Sequence, residues 1–405
     1  MHVMHVIDSM HGGGAETSLV EVIPGLASRG IRTSIVTLLA DDGVFDDRLK
    51  ALGVTHIRLR QRDPLSLVLE LRRILLSERP DLVHTTLLFS NLAGRPAGRM
   101  ARLPVITTLA NQEYGPEHRS NSRFGSWSVR MVHAVDLATA PLTTRFHAVS
   151  DDVGMVMGRR LKIPGDRIQV VYRGRNPERL GAFTPDRRLR AREALSIDAT
   201  APVVLSVGRL DLQKGVETTI DAFRRLASQR PDAVLLMAGR PGSAVAIAQS
   251  AAQQVPGIRL LGHRTDVPDL MCAADVLSFP SRWEGLSGTL VEAMALRLAV
   301  VASDISSVVE TIGDVDWPLV PPGDGQALAN QLLCVLKDGT RSEKVRDAGE
   351  ERFRTMFTVE AAADGMSRFY QEVLRGSSPQ SSHELRRSFM KVPARRTARG
   401  EDRRV

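Results

Sequence analysis

The stretch Phe279-Pro-Ser-Arg-Trp-Glu-Gly-Leu-Ser-Gly-Thr-Leu-Val-Glu-Ala-Met-Ala295, which continues through Val300-Val-Ala-Ser-Asp304, decides the fold. An apolar run that begins at Val276 stops at Pro280, because proline cannot continue a central strand. A glycine-containing loop follows, then an apolar helical pattern, then a second strand-like run. This order of strand, loop, helix and strand predicts one right-handed crossover unit of a parallel sheet.

The loop of this unit carries the first candidate site. The backbone N–H groups of Leu286 and Ser287 lie at the predicted start of the helix, where a helix favours anions. Glu284 and Glu292 flank that position. The simplest alternative is two solvated acids, but Glu292 lies on an apolar helix and therefore needs a partner. An anion site between carboxylates suits a ligand with phosphates and hydroxyls, such as a nucleotide sugar.

Length and composition indicate a soluble α/β protein of two domains. The chain has 405 residues, of which 43% are hydrophobic, so more than one core is expected. Its two cysteines form no disulfide framework and fit a reducing compartment. No apolar run approaches the roughly 18–20 residues that span a bilayer, and the N-terminus resembles a strand rather than a signal peptide. These features predict a cytoplasmic protein.

Strands and helices alternate through both halves of the chain, which predicts two doubly wound, mostly parallel sheets. We expect an N-terminal acceptor-side domain at 1–175 and a C-terminal ligand-binding domain with terminal helices at 176–375. Residues 376–405 form a tail that composition predicts to be disordered. The tail holds +5 of the formal charge of +8, so the body of the protein is close to neutral.

A second candidate site is Gly208-Arg209-Leu-Asp-Leu-Gln-Lys214-Gly215, which follows the first predicted strand of the second half. Ligands of open α/β sheets bind at the carboxyl ends of strands. An arginine fork and a lysine point charge suit two adjacent phosphates. The alternative is an ordinary pair of surface cations.

Two weaker motifs accompany these. Gly12-Gly13-Gly14 follows the first strand and could present N–H groups to phosphate, but Thr17 stands where a dinucleotide fingerprint needs its third glycine. That interpretation would use Asp41 or Asp42 for ribose, and the other alternative is a plain turn. His263-Arg264 follows another strand of the second half and could face a nucleobase, although Thr265-Asp266 could simply cap a helix.

Taken in order, these motifs resemble the retaining glycosyltransferases of family 4, which have the two-domain GT-B fold with a central cleft. The resemblance implies that a C-terminal helix crosses back to the N-terminal domain. It implies that Arg209, Lys214 and Glu284 carry catalysis, and that Glu292 binds the ribose. No metal and no cofactor is implied, and we interpret Asp314-Val-Asp316 as a turn. The implied donor-binding residues are Gly13, Gly14, Arg209, Lys214, His263, Arg264, Glu284, Gly285, Leu286, Ser287 and Glu292.

The chain departs from this family in two places. Many members have a histidine after the strand equivalent to Val105–Leu109, where this chain has Ala110. Asn111 could supply a polar contact instead, and with His84 it is the acceptor-side candidate. The second departure is Arg173-Gly-Arg-Asn176, where members often have Pro-Asn-Gly before an acid.

The predicted function is transfer of a sugar from a nucleotide-diphosphate donor to an acceptor hydroxyl on a glycan, a lipid-linked glycan or a small molecule. One alternative is a sugar-nucleotide epimerase on the same fold. Another is a non-catalytic binding protein whose basic tail contacts anionic membrane at the inner face. The tail has no aromatic residue except Phe389, so we expect no nucleic-acid partner.

Overall fold

The computed structural model of the chain describes residues 1–40, 42–59, 63–115, 126–313 and 316–376, with the backbone alone at 126 and 339–342. The interpretations of Asp41 and Asp314, and the prediction for the tail beyond Gly376, lie outside the described residues.

The first half forms a sheet of seven parallel strands in the order β3-β2-β1-β4-β5-β6-β7. Chain order reverses between β1 and β4, which places a crevice outside their carboxyl ends. The strands are β1 (His2–Ile7), β2 (Arg32–Thr37), β3 (Thr55–Arg58), β4 (Leu82–Thr86), β5 (Val105–Leu109), β6 (Arg145–Ala148) and β7 (Ile168–Val170). The helices are α1 (Gly14–Ala27), α2 (Asp46–Ala51), α3 (Pro64–Glu78), α4 (Leu88–Met100), α5 (Ser126–Thr139) and α6 (Asp151–Arg160).

The second half repeats the scheme with six parallel strands in the order β10-β9-β8-β11-β12-β13. The strands are β8 (Val203–Val207), β9 (Val234–Ala238), β10 (Ile258–Gly262), β11 (Val276–Phe279), β12 (Ala299–Ser303) and β13 (Leu319–Val320). The helices are α7 (Pro177–Leu180), α8 (Pro185–Ala194), α9 (Val216–Ala227), α10 (Val245–Gln254), α11 (Val267–Ala273), α12 (Gly288–Ala295), α13 (Ser306–Ile312), α14 (Gly325–Lys337), α15 (Gly339–Met356) and α16 (Val359–Arg375). The α/β class and the two doubly wound sheets are confirmed.

Helix α16 leaves the second half and packs on the first. Phe369 and Tyr370 are fully buried in one cluster with Val3 of β1 and Leu82 of β4. Burying a side chain of this size contributes roughly 1.5–3 kcal/mol. The predicted return of the C-terminal helix to the N-terminal domain is therefore confirmed, while the boundary between residues 175 and 176 stays a prediction.

Helix α1 is longer than its sequence indicates. Pro24-Gly25 predicts a kinked or short helix, yet the helix runs for 14 residues with Pro24 inside it. The carbonyl of Pro24 still accepts a bond of 3.0 Å from Ser28 N, so the last turn is intact. Packing of α1 against α16 and the first sheet outweighs the local preference.

Candidate active site

The carboxyl ends of the two sheets meet at the loop after β11. A Cβ atom at position 285 would overlap the carbonyl oxygen of Ala110, so only glycine allows this approach. On the same side, Ser150 Oγ lies 3.5 Å from the Gly285 carbonyl oxygen.

The two motifs of the second half are joined to one another. Arg282 N donates to the Gln213 carbonyl at 2.8 Å, and Gln213 Nε2 donates to the Trp283 carbonyl at 3.0 Å. Lys214 Nζ lies 2.6 Å from Glu284 Oε1. The structure thus brings Lys214 and Glu284, 70 residues apart, into one ion pair.

A small pocket lies beside this pair. Arg209 and Lys214 line it together with the hydroxyls of Ser206, Ser278 and Ser281. Ser281 is 1% exposed, and its Oγ has no hydrogen-bond partner among the described residues. A buried hydroxyl without a partner is costly unless a ligand or water satisfies it. The lining therefore combines cations with a spare donor, as an anionic ligand requires.

Arg209 is the accessible cation of the pocket. Its guanidinium pairs with Asp211, yet its side chain is 62% exposed. Asp211 is itself anchored, because Ser243 N donates to its Oδ1 at 2.7 Å. Exposed ion pairs contribute about 0–1 kcal/mol to stability. Arg209 can therefore leave Asp211 and bind a ligand at little cost in free energy.

Glu292 has a partner that the sequence analysis did not foresee. Arg175 Nε donates to Glu292 Oε1 at 2.7 Å, and Arg175 Nη1 donates to Ser18 Oγ of α1 at 2.8 Å. Arg179 pairs with Glu21 of α1 at 2.5 Å and lies 3.7 Å from Glu292. The partner that the apolar helix demands for Glu292 is thus provided by arginines in this structure, and the role of Glu292 with ribose stays a prediction.

Arg175 also lies against the start of α12. A Cβ at position 288 would overlap its guanidinium, so the observed position of the Arg175 side chain depends on Gly288. Ser287 is the N-cap and makes no side-chain capping bond. The sequence signal for this arrangement was the unusual Arg173-Gly-Arg-Asn176 segment, whose second arginine bridges the two halves.

His263 and Arg264 are not brought to the Lys214–Glu284 pair. They follow β10, two strands from β8, which corresponds to about 10 Å along the sheet edge. Arg264 Nε donates to Asp266 Oδ1 at 2.7 Å, and this bond lowers the pKa of Asp266. His263 is exposed.

The glycine loop of the first half faces the second. Gly13 is the N-cap of α1 and provides no side-chain cap. Arg240, which follows β9, lies 3.7 Å from Asp42 and close to Gly12. Gly14 accepts a bond of 2.7 Å from Ser18 Oγ at its carbonyl oxygen. The loop thus closes over the same sheet edge that carries Arg209 and Lys214.

His84 belongs to a buried network. His147 Nε2 must donate to the Val171 carbonyl, 2.9 Å away, so His147 Nδ1 accepts from Thr108 Oγ1 at 3.1 Å. Thr108 then accepts from His84 Nε2 at 2.7 Å, and His84 Nδ1 accepts from Tyr370 OH at 2.8 Å. Both ring nitrogens of His84 are engaged, which speaks against an acceptor-side role.

The other acceptor-side candidate is better placed. Asn111 lies beside Gly285, and its Oδ1 accepts from Gln112 N at 2.9 Å. Burial, reinforced by the charges of Asp136 and Asp8, raises the pKa of nearby Glu113 to about 7. Sequence reasoning missed Glu113, because nothing local distinguishes it from a solvated acid. Across the described ranges, no group of three or more His, Cys, Asp or Glu side chains could hold a metal ion.

Known proteins resemble both this fold and this sequence. The chain is 28% identical over 364 residues to the 2-deoxystreptamine N-acetyl-D-glucosaminyltransferase of Streptomyces fradiae, covering 82% of this chain and 84% of that protein. It is 26% identical over 287 residues to the alpha-D-kanosaminyltransferase of Streptomyces kanamyceticus, covering 68% and 72%. The crystal structure of Anabaena Alr3699/HepE in complex with UDP-glucose matches with a TM-score of 0.80 at 22% identity, covering 92% of this chain and all of that one.

Two family models match successive parts of the chain. The model of Glycosyltransferase Family 4 matches residues 12–179. The model described as Glycosyl transferases group 1 matches residues 201–338, which include the Lys214–Glu284 pair and Glu292. The first match lies in the N-terminal half and the second in the C-terminal half. The chain belongs to glycosyltransferase family 4 and is a glycosyltransferase of the GT-B fold.

Proposed function

We propose that the protein transfers a sugar from a nucleotide-diphosphate donor to an acceptor hydroxyl with retention of anomeric configuration. The observation that carries the proposal is the pocket in which Arg209, Lys214 and the unpaired Ser281 hydroxyl lie beside Glu284. It lies at the carboxyl edge of a doubly wound sheet, where such folds bind ligands.

The donor would extend along the edge of the second sheet. In this arrangement the base lies toward His263 and Arg264 after β10, and the diphosphate lies at Arg209 and Lys214 after β8. The sugar lies at the loop after β11, beside Glu284. Strands spaced about 4.8 Å apart give this row a length suited to an extended nucleotide sugar. The UDP and UDP-glucose complexes of the Anabaena protein support the choice of ligand.

Catalysis would come from preorganised charge. As the bond between the anomeric carbon and the β-phosphate oxygen breaks, its electron pair stays on the diphosphate, and the sugar becomes oxocarbenium-like. Arg209 and Lys214 stabilise that growing negative charge more than they stabilise the ground state. With retention, the acceptor oxygen bonds to carbon on the face that the diphosphate leaves, and its proton passes to the departing phosphate oxygen.

The basic pair and the uncapped start of α12 supply the charge that a divalent cation would otherwise contribute, so we propose that no metal and no cofactor is needed. Glu284 would position the sugar through its hydroxyls, and Glu292 the ribose. The acceptor would be a glycan, a lipid-linked glycan or a small molecule that approaches from the side of Asn111.

The test is Lys214→Ala, measured as product formed from donor and acceptor together. We expect turnover to fall by about 10²-fold or more, because one preorganised donor of charge is lost. Lys344→Ala on the exposed face of α15 is the matched control and should behave as wild type. An unchanged rate for Lys214→Ala would remove the diphosphate clamp, and conversion of donor without acceptor would indicate an epimerase instead.

A further inference from the structure

Helices α3, α4 and α5 form one layer on the first sheet, and many of their outward side chains are large and apolar. Helix α4 packs between α3 and α5. Eight of the sixteen exposed large hydrophobic side chains in the described residues lie on these three helices. We name this surface the apolar face.

The stripe on α5 follows helical spacing. Trp127, Met131 and Val135 stand at i, i+4 and i+8, and all three are exposed. Such a stripe ordinarily faces a core. Here the core side is taken by other residues, such as Val129, which is buried. Trp127 is 73% exposed, so most of its ring is not packed against the protein.

The stripe continues on the neighbouring helices. Leu65, Leu69 and Leu76 are exposed on α3, and Phe89 and Met100 are exposed on α4. Three helices at spacings of about 8–10 Å, each about 20 Å long, give a face of roughly 20 Å by 20 Å. Eight exposed large apolar side chains on one face of this size are a concentration that indicates a binding surface rather than scattered single exposures.

The most exposed charges on the apolar face are positive. Within the described side chains of α3, α4 and α5, the exposed charged residues are Arg73, Arg99 and Arg130, one on each helix, whereas the acids Glu70 and Glu78 of α3 are half-buried. By contrast, the exposed side of α15 mixes both signs, with Glu343, Lys344 and Asp347 close in sequence. An apolar surface whose exposed charges are positive complements a partner that is apolar and anionic.

We propose that the apolar face docks on an anionic phospholipid bilayer. Leucine and aromatic side chains would enter the boundary between headgroups and acyl chains, and the three arginines would contact phosphates. Tryptophan favours that boundary because its ring is apolar and its N–H is polar. No helix in the described ranges has the length and apolar content to span a bilayer, so the contact is one of surface with surface.

Docking would place the cleft at the membrane. Helices α3, α4 and α5 follow strands β3, β4 and β5, so each begins at the carboxyl edge of the first sheet. Leu65, Phe89 and Trp127 stand in the first turns, at that edge. This placement favours an acceptor carried on lipid, a consequence that rests on the proposed function, whereas the docking itself does not.

Trp127 provides the experiment with its own probe. Of the three tryptophans, Trp283 is 9% exposed and Trp317 is 5% exposed, so Trp127 dominates the solvent-sensitive emission. Vesicles of equimolar phosphatidylglycerol and phosphatidylcholine should shift the emission of the full chain to the blue and sediment it. Phosphatidylcholine vesicles should do so weakly. Trp127→Phe should abolish the shift while the protein still sediments.

Paired variants locate the contact. Leu69→Ser/Met131→Ser should reduce vesicle partitioning by tenfold or more, because two apolar side chains are lost. Leu189→Ser/Ile247→Ser, which replaces equally exposed side chains of the second half, should leave it unchanged. Arg73→Gln/Arg99→Gln/Arg130→Gln should lower partitioning about fivefold for each arginine, only on anionic vesicles. These assays do not measure turnover, so their outcome is independent of the proposed chemistry.

Three outcomes would overturn the proposal. The first is no shift and no sedimentation with anionic vesicles. The second is sedimentation that Leu69→Ser/Met131→Ser leaves intact but that Arg395→Gln/Arg396→Gln/Arg403→Gln/Arg404→Gln abolishes, which would assign membrane contact to the tail. The third is a blue shift without vesicles that grows with protein concentration, which would show that a second copy covers the apolar face.

Discussion

The two halves of the molecule share a doubly wound parallel sheet with a reversal of strand order, yet their functional edges differ in chemistry. The edge of the second sheet presents Arg209, Lys214, Arg240 and Arg264, and each lies in an ion pair with an acid. Behind the edge of the first sheet, a neutral network links His84, Thr108 and His147. The edge of the second sheet thus carries cations that can exchange partners with a ligand, whereas a cluster of buried neutral histidines lies behind the edge of the first.

This difference shows how one architecture serves two purposes. Side chains inside both sheets repeat the same apolar pattern, whereas the loops after the strands carry the distinguishing residues. In the second half those loops converge on a pocket. In the first half the helices that follow these loops begin with exposed apolar side chains such as Leu65 and Phe89.

The largest effect on stability should come from a substitution at the junction between the two halves. Arg175→Ala would leave Glu292 without its closest cation and Ser18 without its donor. Removing one partner of a largely buried pair costs about 3 kcal/mol or more. We expect that loss in the free energy of unfolding, measured by urea denaturation.

The exposed pair of Arg225 with Asp221, four residues apart on α9, provides the control. Arg225→Ala should cost at most about 0.5 kcal/mol. Equal losses for the two variants would show that the junction is no more than a surface contact.

Much of the fold follows from local sequence patterns. Runs of β-branched and apolar residues between turn residues predict strands at Leu82–Thr86 and Val105–Leu109, and the structure has strands with these bounds. The parallel topology follows from alternation with helices. Helix α1 differs because packing against α16, more than 330 residues later, overrides Pro24.

The site was predictable as a set of motifs but not as a set of contacts. Position after a strand identifies Arg209, Lys214 and Glu284, because sheet edges collect such loops. Nothing local indicates that Glu292 meets Arg175, 117 residues away, or that burial shifts Glu113. Pairing and desolvation depend on tertiary neighbours, which a single sequence does not specify.

The second prediction concerns the buried neutral histidines of the first half. Burial lowers the pKa of His5 to about 3 and that of His147 to about 4, against 6.5 when unfolded. The folded state therefore binds fewer protons than the unfolded state below pH 6.5, so stability falls on acidification. For His5 alone the loss at pH 5 is about 2 kcal/mol.

His5→Leu isolates this effect. His5 Nε2 has no hydrogen-bond partner among the described residues, so the substitution breaks no hydrogen bond at that atom. Between pH 7.5 and pH 5 the wild type should lose about 2 kcal/mol more unfolding free energy than the variant does. The exposed His263→Leu is the control and should show no such movement. Parallel pH profiles for His5→Leu and wild type would refute the buried neutral imidazole.

The finest test concerns how the halves are held together. Glu310 of α13 accepts from Asp151 N at 2.6 Å and Asp152 N at 2.9 Å, and Tyr172 OH donates to it at 3.0 Å. Since Ser150 caps only Val153 N, a carboxylate of the second half satisfies the first amides of a helix of the first half. A glutamine can accept one of these bonds but places an NH₂ against the other amide. Glu310→Gln should therefore lower the free energy of unfolding by about 1 kcal/mol and loosen the contact between the halves, which X-ray scattering would detect as a larger radius of gyration.

The control is Glu360, an exposed acid in the first turn of α16. Glu360→Gln should lower the free energy of unfolding by only a few tenths of a kcal/mol and leave the radius of gyration unchanged. If the radius is the same for both variants, the bonds from Glu310 to the start of α6 do not hold the two halves together.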